Sequence, residues 1–369
     1  MGKEVKYGVI SDLHGDPNIV PLAIDVLKSQ GAEKLLVNGD ICDRQENLED
    51  SQRYTAFVLD SIGKSGLESF VQPGSHETLL GYGCVIEYFS DKYDNILDCQ
   101  RISQVSNNGH QLVFLPGSDS LCGGEYQIGN GRIPSGKYFI DIHNKFLPLS
   151  TPKEKLRRLS NLRKLKGMIQ YANINDLKEL VTEPEKTIVV SHVPRKFNKL
   201  ENAVDVAEFG MPYKDFQKLR VKLENGQNDT IYFCDLSREQ LVDYLKYLKV
   251  KEIMERDYIS SGHIIPIEHA RNMLSKDSLL PVEIKQENRG NDDLKNLYEE
   301  LGITKSVSGH FHESGHRAND SYGNKVQEGV YTDNLFWNSG CLSFGQTGIL
   351  TVKGPQVSYR NINLSDYLK

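Results

Sequence analysis

Five short apolar runs in this chain each stop at a cluster of carboxylate or imidazole residues. Tyr7-Gly8-Val9-Ile10 leads into Asp12-Leu13-His14, and Lys34 to Asn38 leads into Gly39-Asp40-Ile41-Cys42-Asp43-Arg44. Glu68 to Gln72 precedes Gly74-Ser75-His76-Glu77, Lys186 to Val190 precedes Ser191-His192, and Lys305 to Ser308 precedes Gly309-His310-Phe311-His312. Apolar runs of this length, bounded by turn residues, read as buried strands. Helical periodicity separates the first three. Val20, Ala23, Ile24 and Leu27 mark a helix over about 17–30 with Gly31 as its C-terminal cap, a second covers 48–64, and a third follows from about 77 to 92. This β-α-β-α-β alternation predicts a right-handed, layered α/β sheet. Ligands of such sheets gather at the carboxyl ends of strands, which is where the polar clusters fall.

The rest of the chain is less regular. Residues 100–105 and 111–115 flank Asn107-Asn108-Gly109 and predict a hairpin. Residues 118–148 read as short strands and Gly-rich loops. Residues 153–166, KEKLRRLSNLRKLK, read as a basic amphipathic helix striped by Leu156, Leu159, Leu162 and Leu165. Residues 196–300 are charged and read as largely helical, with a capping box at Ser237 and Gln240. Two or three antiparallel strands are expected between Leu335 and Asn363.

Bulk properties exclude some functions. The 369 residues carry a net charge of −6, so the whole molecule is no generic polyanion binder, although a local basic groove remains open. The helix at 153–166 reads either as a solvated face or as a clamp for a polyanion. Six cysteines are widely spaced with no CxxC pair, which argues against a thiolate zinc site and for reduced thiols in a cytoplasmic protein. The start of the chain has no apolar signal core, and Lys6 stands where a myristoylation motif needs Ser or Thr. No run is long and apolar enough to span a membrane, so no membrane partner is expected.

The clusters themselves carry chemistry. Asp and neutral His are ligands for borderline divalent metals such as Mn, Fe and Zn. In extended chain, side chains two apart share a side, so Asp12 with His14, and His310 with His312, can converge. Ser75 admits three readings: metal ligand, nucleophile or plain turn residue. Ser261-Gly262-His263 echoes Ser308-Gly309-His310 but lacks a second His, and reads as a turn. His110, His143, His269 and His316 read as structural, and Ser118-Asp119 as a loop or a pocket wall.

Taken together, in order and spacing, the clusters resemble the calcineurin-like metallophosphoesterase superfamily, with its D-x-H, G-D-x-x-D, G-N-H-[DE], H and G-H-x-H motifs. The segments SHVPRKF and NSGCLSFGQTG also look like family segments. The resemblance implies an α/β fold: a layered metallophosphoesterase-like β-sandwich flanked by helices, with inserted specificity regions. The core would then comprise 1–117, 186–195 and 301–369, interrupted by a partial cap at 118–185 and a mostly helical insertion at 196–300. It implies two divalent metal ions, Mn foremost, with Fe, Zn, Ni or Mg as alternatives. Asp12, His14 and His312 would hold the first, Asp40 would bridge, and His192 and His310 would hold the second, with Ser75 standing where the family places Asn. Two metals about 3.5–4 Å apart clamp phosphate oxygens and generate the attacking hydroxide. His76 would be the general acid, with Asp43 orienting it and Glu77 completing that motif.

Arg44 follows Asp43 as in the Ser/Thr phosphoprotein phosphatases, and its guanidinium could grip two phosphate oxygens. That subfamily carries Arg where this chain has Pro73, so protein phosphatase activity is not assigned. The implied function is hydrolysis of phosphomonoesters or phosphodiesters. One alternative is a nuclease of the same superfamily, with DNA or RNA as partner. The other is a non-catalytic scaffold, against which the presence of His76 with Asp43 and Glu77 argues. Substrate identity and oligomeric state are not fixed by the sequence.

Overall fold

Parallel pairing of three strands brings their ends to one edge. In a computed structural model, which describes residues 3–42, 45–119, 124–276 and 281–367, β1 (Val5–Ile10), β2 (Lys34–Asn38) and β3 (Glu68–Gln72) lie side by side with Val9, Leu36 and Phe70 in one row. Ile96–Asp98 and the antiparallel pair Gln346–Lys353 and Gln356–Asn363 complete a six-stranded sheet. A second six-stranded sheet has the order Ala318–Asn319, Leu335–Asn338, Lys305–Ser308, Thr187–Ser191, His110–Leu115, Gln104–Asn107. The hairpin between its last two strands turns on Asn108 and Gly109, with φ of 46° and 88°. Asn-Gly suits two consecutive left-handed residues, so the turn sits where the sequence predicts it.

Alternation of side chains then decides the layering. Tyr7 and Val9 of β1 pack between the two sheets with Phe114, Val190, Trp337 and Leu350, whereas Ile10 points to the other side. There α1 (Ile19–Ser29) and α2 (Leu48–Lys64) cover the first sheet through Leu27, Val58 and Leu59. Val113 and Val189 on the outer face of the second sheet meet Leu177, Leu294 and Tyr298 of the helices Leu177–Leu180 and Asp292–Leu301. The result is a helix–sheet–sheet–helix sandwich, the expected fold class. Trp337 is wholly buried in the central layer and donates its indole N–H to Asn361 Oδ1 at 3.0 Å. Truncating a buried aromatic of this kind removes about 3–5 kcal/mol.

Helix limits follow local chemistry. Asn47 accepts the Asp50 N–H at 2.9 Å to start α2, with Glu49 and Asp50 in its first turn. Ser237 and Gln240 form the predicted capping box for Arg238–Tyr247. Among the described residues, no helix is long and apolar enough to cross a membrane.

Several expectations need correction. The chain divides into two compact units, residues 1–206 with 288–369, and 207–287. The second lies inside the stretch read as mostly helical, yet much of it is strand. Phe216–Leu223 pairs with Asn228–Phe233 and Val250–Ile259, and a further small sheet joins Ile265–Pro266, Val206–Pro212 and Val282–Asn288. The period-two pattern of Leu219, Arg220, Val221, Lys222 is a strand signal that high charge obscured. Leu219 and Val221 are buried against Ile231 and Phe233. The basic helix ends at Asn161, and the chain turns through Arg163, with φ of 52°, into the strand Leu165–Asn173. The third helix begins as a wide turn at Leu79–Gly83 and becomes α-helical only over Cys84–Lys92. Leu335–Asn338 is also parallel, not antiparallel, to its neighbour Lys305–Ser308.

Candidate metal centre

At the carboxyl ends of β1 and β2 the chain turns sharply. Asp12 and Asp40 have φ of 58° and 52°, and His310 has 70°. Left-handed backbone at non-Gly residues costs on the order of 1 kcal/mol each and is retained where the surroundings fix it. Here the turns fix one another: the Asp12 N–H donates to the Gly39 carbonyl at 3.1 Å and the Leu13 N–H to the Asp40 carbonyl at 2.6 Å. The His310 N–H reaches both Asp12 carboxylate oxygens, at 3.0 and 3.1 Å. Close approach requires glycine at two places. A methyl group on Gly74 would collide with Asp40 Oδ1, and one on Gly309 would collide with Asp12 Oδ2.

The converging side chains form overlapping groups with ligand atoms within 4.8 Å of one another: Asp12, His14 and His312; Asp40, His192 and His310; and His14, Asp40 and His76. His14 Nε2 lies 3.1 Å from His312 Nε2, and His312 Nε2 lies 3.3 Å from Asp12 Oδ1. His192 is fully buried. Its Nδ1 bonds to the Asn38 carbonyl at 2.8 Å, which turns Nε2 toward Asp40 Oδ2 at 3.0 Å and Asp12 Oδ1 at 3.9 Å. That buried Nε2 makes no well-aligned hydrogen bond. A buried imidazole nitrogen facing two carboxylates is a donor arrangement that suits a divalent cation, and the Asp/His set matches Mn, Fe or Zn. The residues therefore fit a metal pair.

The carboxylates and imidazoles set one another's charge. Burial opposes charge on Asp12 and Asp40, yet the neighbouring His192 holds both carboxyls low. Burial likewise opposes charge on His192, but the Asp40 and Asp12 carboxylates raise its imidazole to about 10. His312 is raised to about 11 by Asp12 despite its burial, whereas burial and the adjacent His192 push His310 down to about 4. The cluster thus holds His192 and His312 charged against its carboxylates while His310 is kept neutral.

The turn 74–77 sits against Asp40. Ser75 donates its N–H to Asp40 Oδ1 at 2.5 Å and its Oγ–H to Asp40 Oδ2 at 2.8 Å, and the His76 N–H also reaches Asp40 Oδ1 at 2.8 Å. The His76 ring is exposed and lies 4.4 Å, centroid to centroid, from that of His14. Glu77 is placed differently from the other candidates. It is wholly buried, and its carboxylate accepts the N–H groups of Asp40, Ile41, Cys42 and Gly74 at 2.6–3.1 Å. Burial and Asp40 push it up to about 7 against those donors. Its oxygens are occupied by backbone N–H groups beneath the turn that carries Ser75 and His76. Asp43 and Arg44 lie outside the described residues, as does Cys122.

Several supporting residues were not singled out from sequence. Ser11 Oγ donates to Asp12 Oδ2 at 2.5 Å, and Ser343 Oγ accepts the His14 N–H at 2.6 Å. Asn338, inside NSGCLSFGQTG, donates to the Gly309 and Phe311 carbonyls at 3.2 and 3.0 Å and so clamps the His310–His312 turn. Of the other histidines, His110 bonds to Tyr7, His316 to the Thr347 carbonyl and His269 to Tyr232, all structural partners. His263 lies in an exposed turn. Ser118 and Asp119 form a short buried strand.

Among curated proteins, none matches the chain. Solved structures with a related course of chain include TT1561 of Thermus thermophilus, at 10% identity and a TM-score of 0.46, covering 98% of this chain and 100% of that one. Another is a dimetal phosphatase from Danio rerio, at 10% identity and a TM-score of 0.42, covering 98% and 99%. A profile of the calcineurin-like phosphoesterases matches residues 5–264, well over half of the chain. The chain belongs to the calcineurin-like phosphoesterase family.

Proposed function

We propose that this protein hydrolyses phosphomonoesters or phosphodiesters at a dinuclear site bridged by Asp40, with His76 as general acid. The observation that supports the reading is the convergence of two ligand-type triads, Asp12–His14–His312 and Asp40–His192–His310, with the buried Nε2 of His192 facing both Asp40 and Asp12. Asp12, His14, Asp40 and His312 would hold the first ion, Mn being the best match to the donor set, and Asp40, His192 and His310 the second, with Ser75 beside it. When bound, such a pair supplies Lewis acidity toward phosphate oxygens and lowers the pKa of a bound water.

The chain's own groups divide the remaining work. The His76 backbone is tied to Asp40, and its exposed imidazole lies beside the His14 ring. There its N–H can pass a proton to the departing alkoxide. Glu77 holds the turn from beneath, and the Asn38 carbonyl fixes the tautomer of His192 that offers Nε2 inward.

Hydrolysis of p-nitrophenyl phosphate and its bis-ester with added Mn tests the reading. Activity that disappears in Asp40→Asn and falls by about 10²–10⁴ in His76→Ala supports it. A folded, metal-loaded protein inactive on a broad ester panel returns the non-catalytic scaffold to the front.

A further inference from the structure

The stretch 142–166 carries eight Lys or Arg against one acid, Glu154, in a chain whose net charge is −6. It lies within the larger unit and contains the strand Phe146–Pro148, the helix Lys153–Asn161 and the start of the strand Leu165–Asn173. Leu156 and Leu159 of the helix are half-buried, so its bases take the outer side. Lys153, Lys155, Arg157, Arg158, Arg163 and Lys164 are all exposed. Among the described residues, none of these six side chains makes an ion pair or a hydrogen bond. Surface cations elsewhere do find acids, as Arg53 does with Glu49 and Arg101 with Glu87, at 2.5 and 2.8 Å. Unpaired like charges held this close repel one another, and an anionic partner relieves that repulsion.

Apolar side chains stand among these cations. Ile142, Leu149 and Leu162 are 43%, 51% and 54% exposed. The Leu162 N–H donates to the Arg158 carbonyl at 3.1 Å, and the Ile142 N–H to the Lys164 carbonyl at 3.0 Å. Ile142 and Leu162 therefore share adjoining backbone with Arg158, Arg163 and Lys164. This mixture selects among anionic partners. On a nucleic acid the cations would meet phosphates, but Ile142 and Leu162 would gain little. The stretch has no Tyr or Trp and Phe146 is half-buried, so no exposed ring there would stack on bases. On an anionic lipid surface the cations meet headgroup phosphates while the apolar side chains enter the acyl boundary.

We infer that 142–166 is a docking surface for an anionic membrane, on which the protein lies without crossing it. The expectation of no membrane partner rested on span length, and lying on a membrane needs no span. The test is sedimentation of the full chain with vesicles of phosphatidylcholine, alone or in equal parts with phosphatidylglycerol. Binding to the anionic vesicles only, reversed by high salt, is expected. Lys155→Gln/Arg158→Gln/Arg163→Gln is expected to weaken it about 10²-fold, at roughly fivefold per charge removed. Ile142→Ser/Leu162→Ser is expected to weaken it about tenfold and to leave its salt dependence in place. Duplex DNA and single-stranded RNA are measured alongside as rival polyanions. Nucleic-acid binding as tight as vesicle binding, and untouched by Ile142→Ser/Leu162→Ser, overturns membrane docking in favour of a nucleic-acid surface. Failure to bind anionic vesicles, or equal binding to neutral ones, also overturns it.

Discussion

Ser75 spends both its donors on Asp40: its N–H reaches Oδ1 at 2.5 Å and its hydroxyl reaches Oδ2 at 2.8 Å. The hydroxyl stands where the family's asparagine would offer a longer, better carbonyl donor, and it competes for the carboxylate that would bridge the ions. The second ion should accordingly bind more weakly than the first. Ser75→Asn is expected to tighten that site about tenfold, or about 1.4 kcal/mol, in calorimetric Mn titration. Unchanged affinity would show that Ser75 has no part in the site.

Glu77 underlies Asp40 and its turn through four backbone N–H groups. Removing it strands these donors in a fully buried place, and each unsatisfied donor costs about 1–3 kcal/mol. Glu77→Ala is expected to lower stability in urea by about 3 kcal/mol or more and to weaken both ions together. Weaker turnover with wild-type stability and full metal content would mean instead that Glu77 meets the substrate.

A pH effect separate from the metal site arises at His110. Burial, and then the charge of Lys34, lower its pKa from 6.5 to about 4, and it pairs with the Tyr7 hydroxyl at 2.8 Å. Below about 6.5 the unfolded chain takes up a proton that the folded protein refuses until about 4. Stability from this group is therefore complete above about 6.5 and declines as pH falls across that window. Denaturation midpoints from about pH 8 to 5 should drop more steeply in the wild type than in His110→Gln. Parallel profiles would remove His110 from the acid sensitivity of the protein.

The sandwich and the convergence of its Asp and His clusters were legible because they rest on short-range rules. Buried strands read as apolar runs, crossovers force parallel order, and Asp and His at strand carboxyl ends gather at one edge of the sheets. Asp12, His14, Asp40, His192, His310 and His312 all meet where those rules put them. What was hidden depends on distance in space. Nothing adjacent to Glu77 says that its oxygens face four N–H groups, three of them from another turn. Nothing near Asn338 says that it clamps the segment 309–311. The strands at 207–287 were missed for a different reason. Lys218, Arg220 and Lys222 alternate with Leu219 and Val221 over so short a span that charge content outweighed period.

The bridging role of Asp40 is tested most directly by Mn titration of chelator-treated protein, followed by electron paramagnetic resonance. Two ions per chain with the signal of a spin-coupled pair are expected, and Asp40→Asn should abolish the coupling. Saturation at one ion, or two ions without coupling, would overturn the dinuclear site.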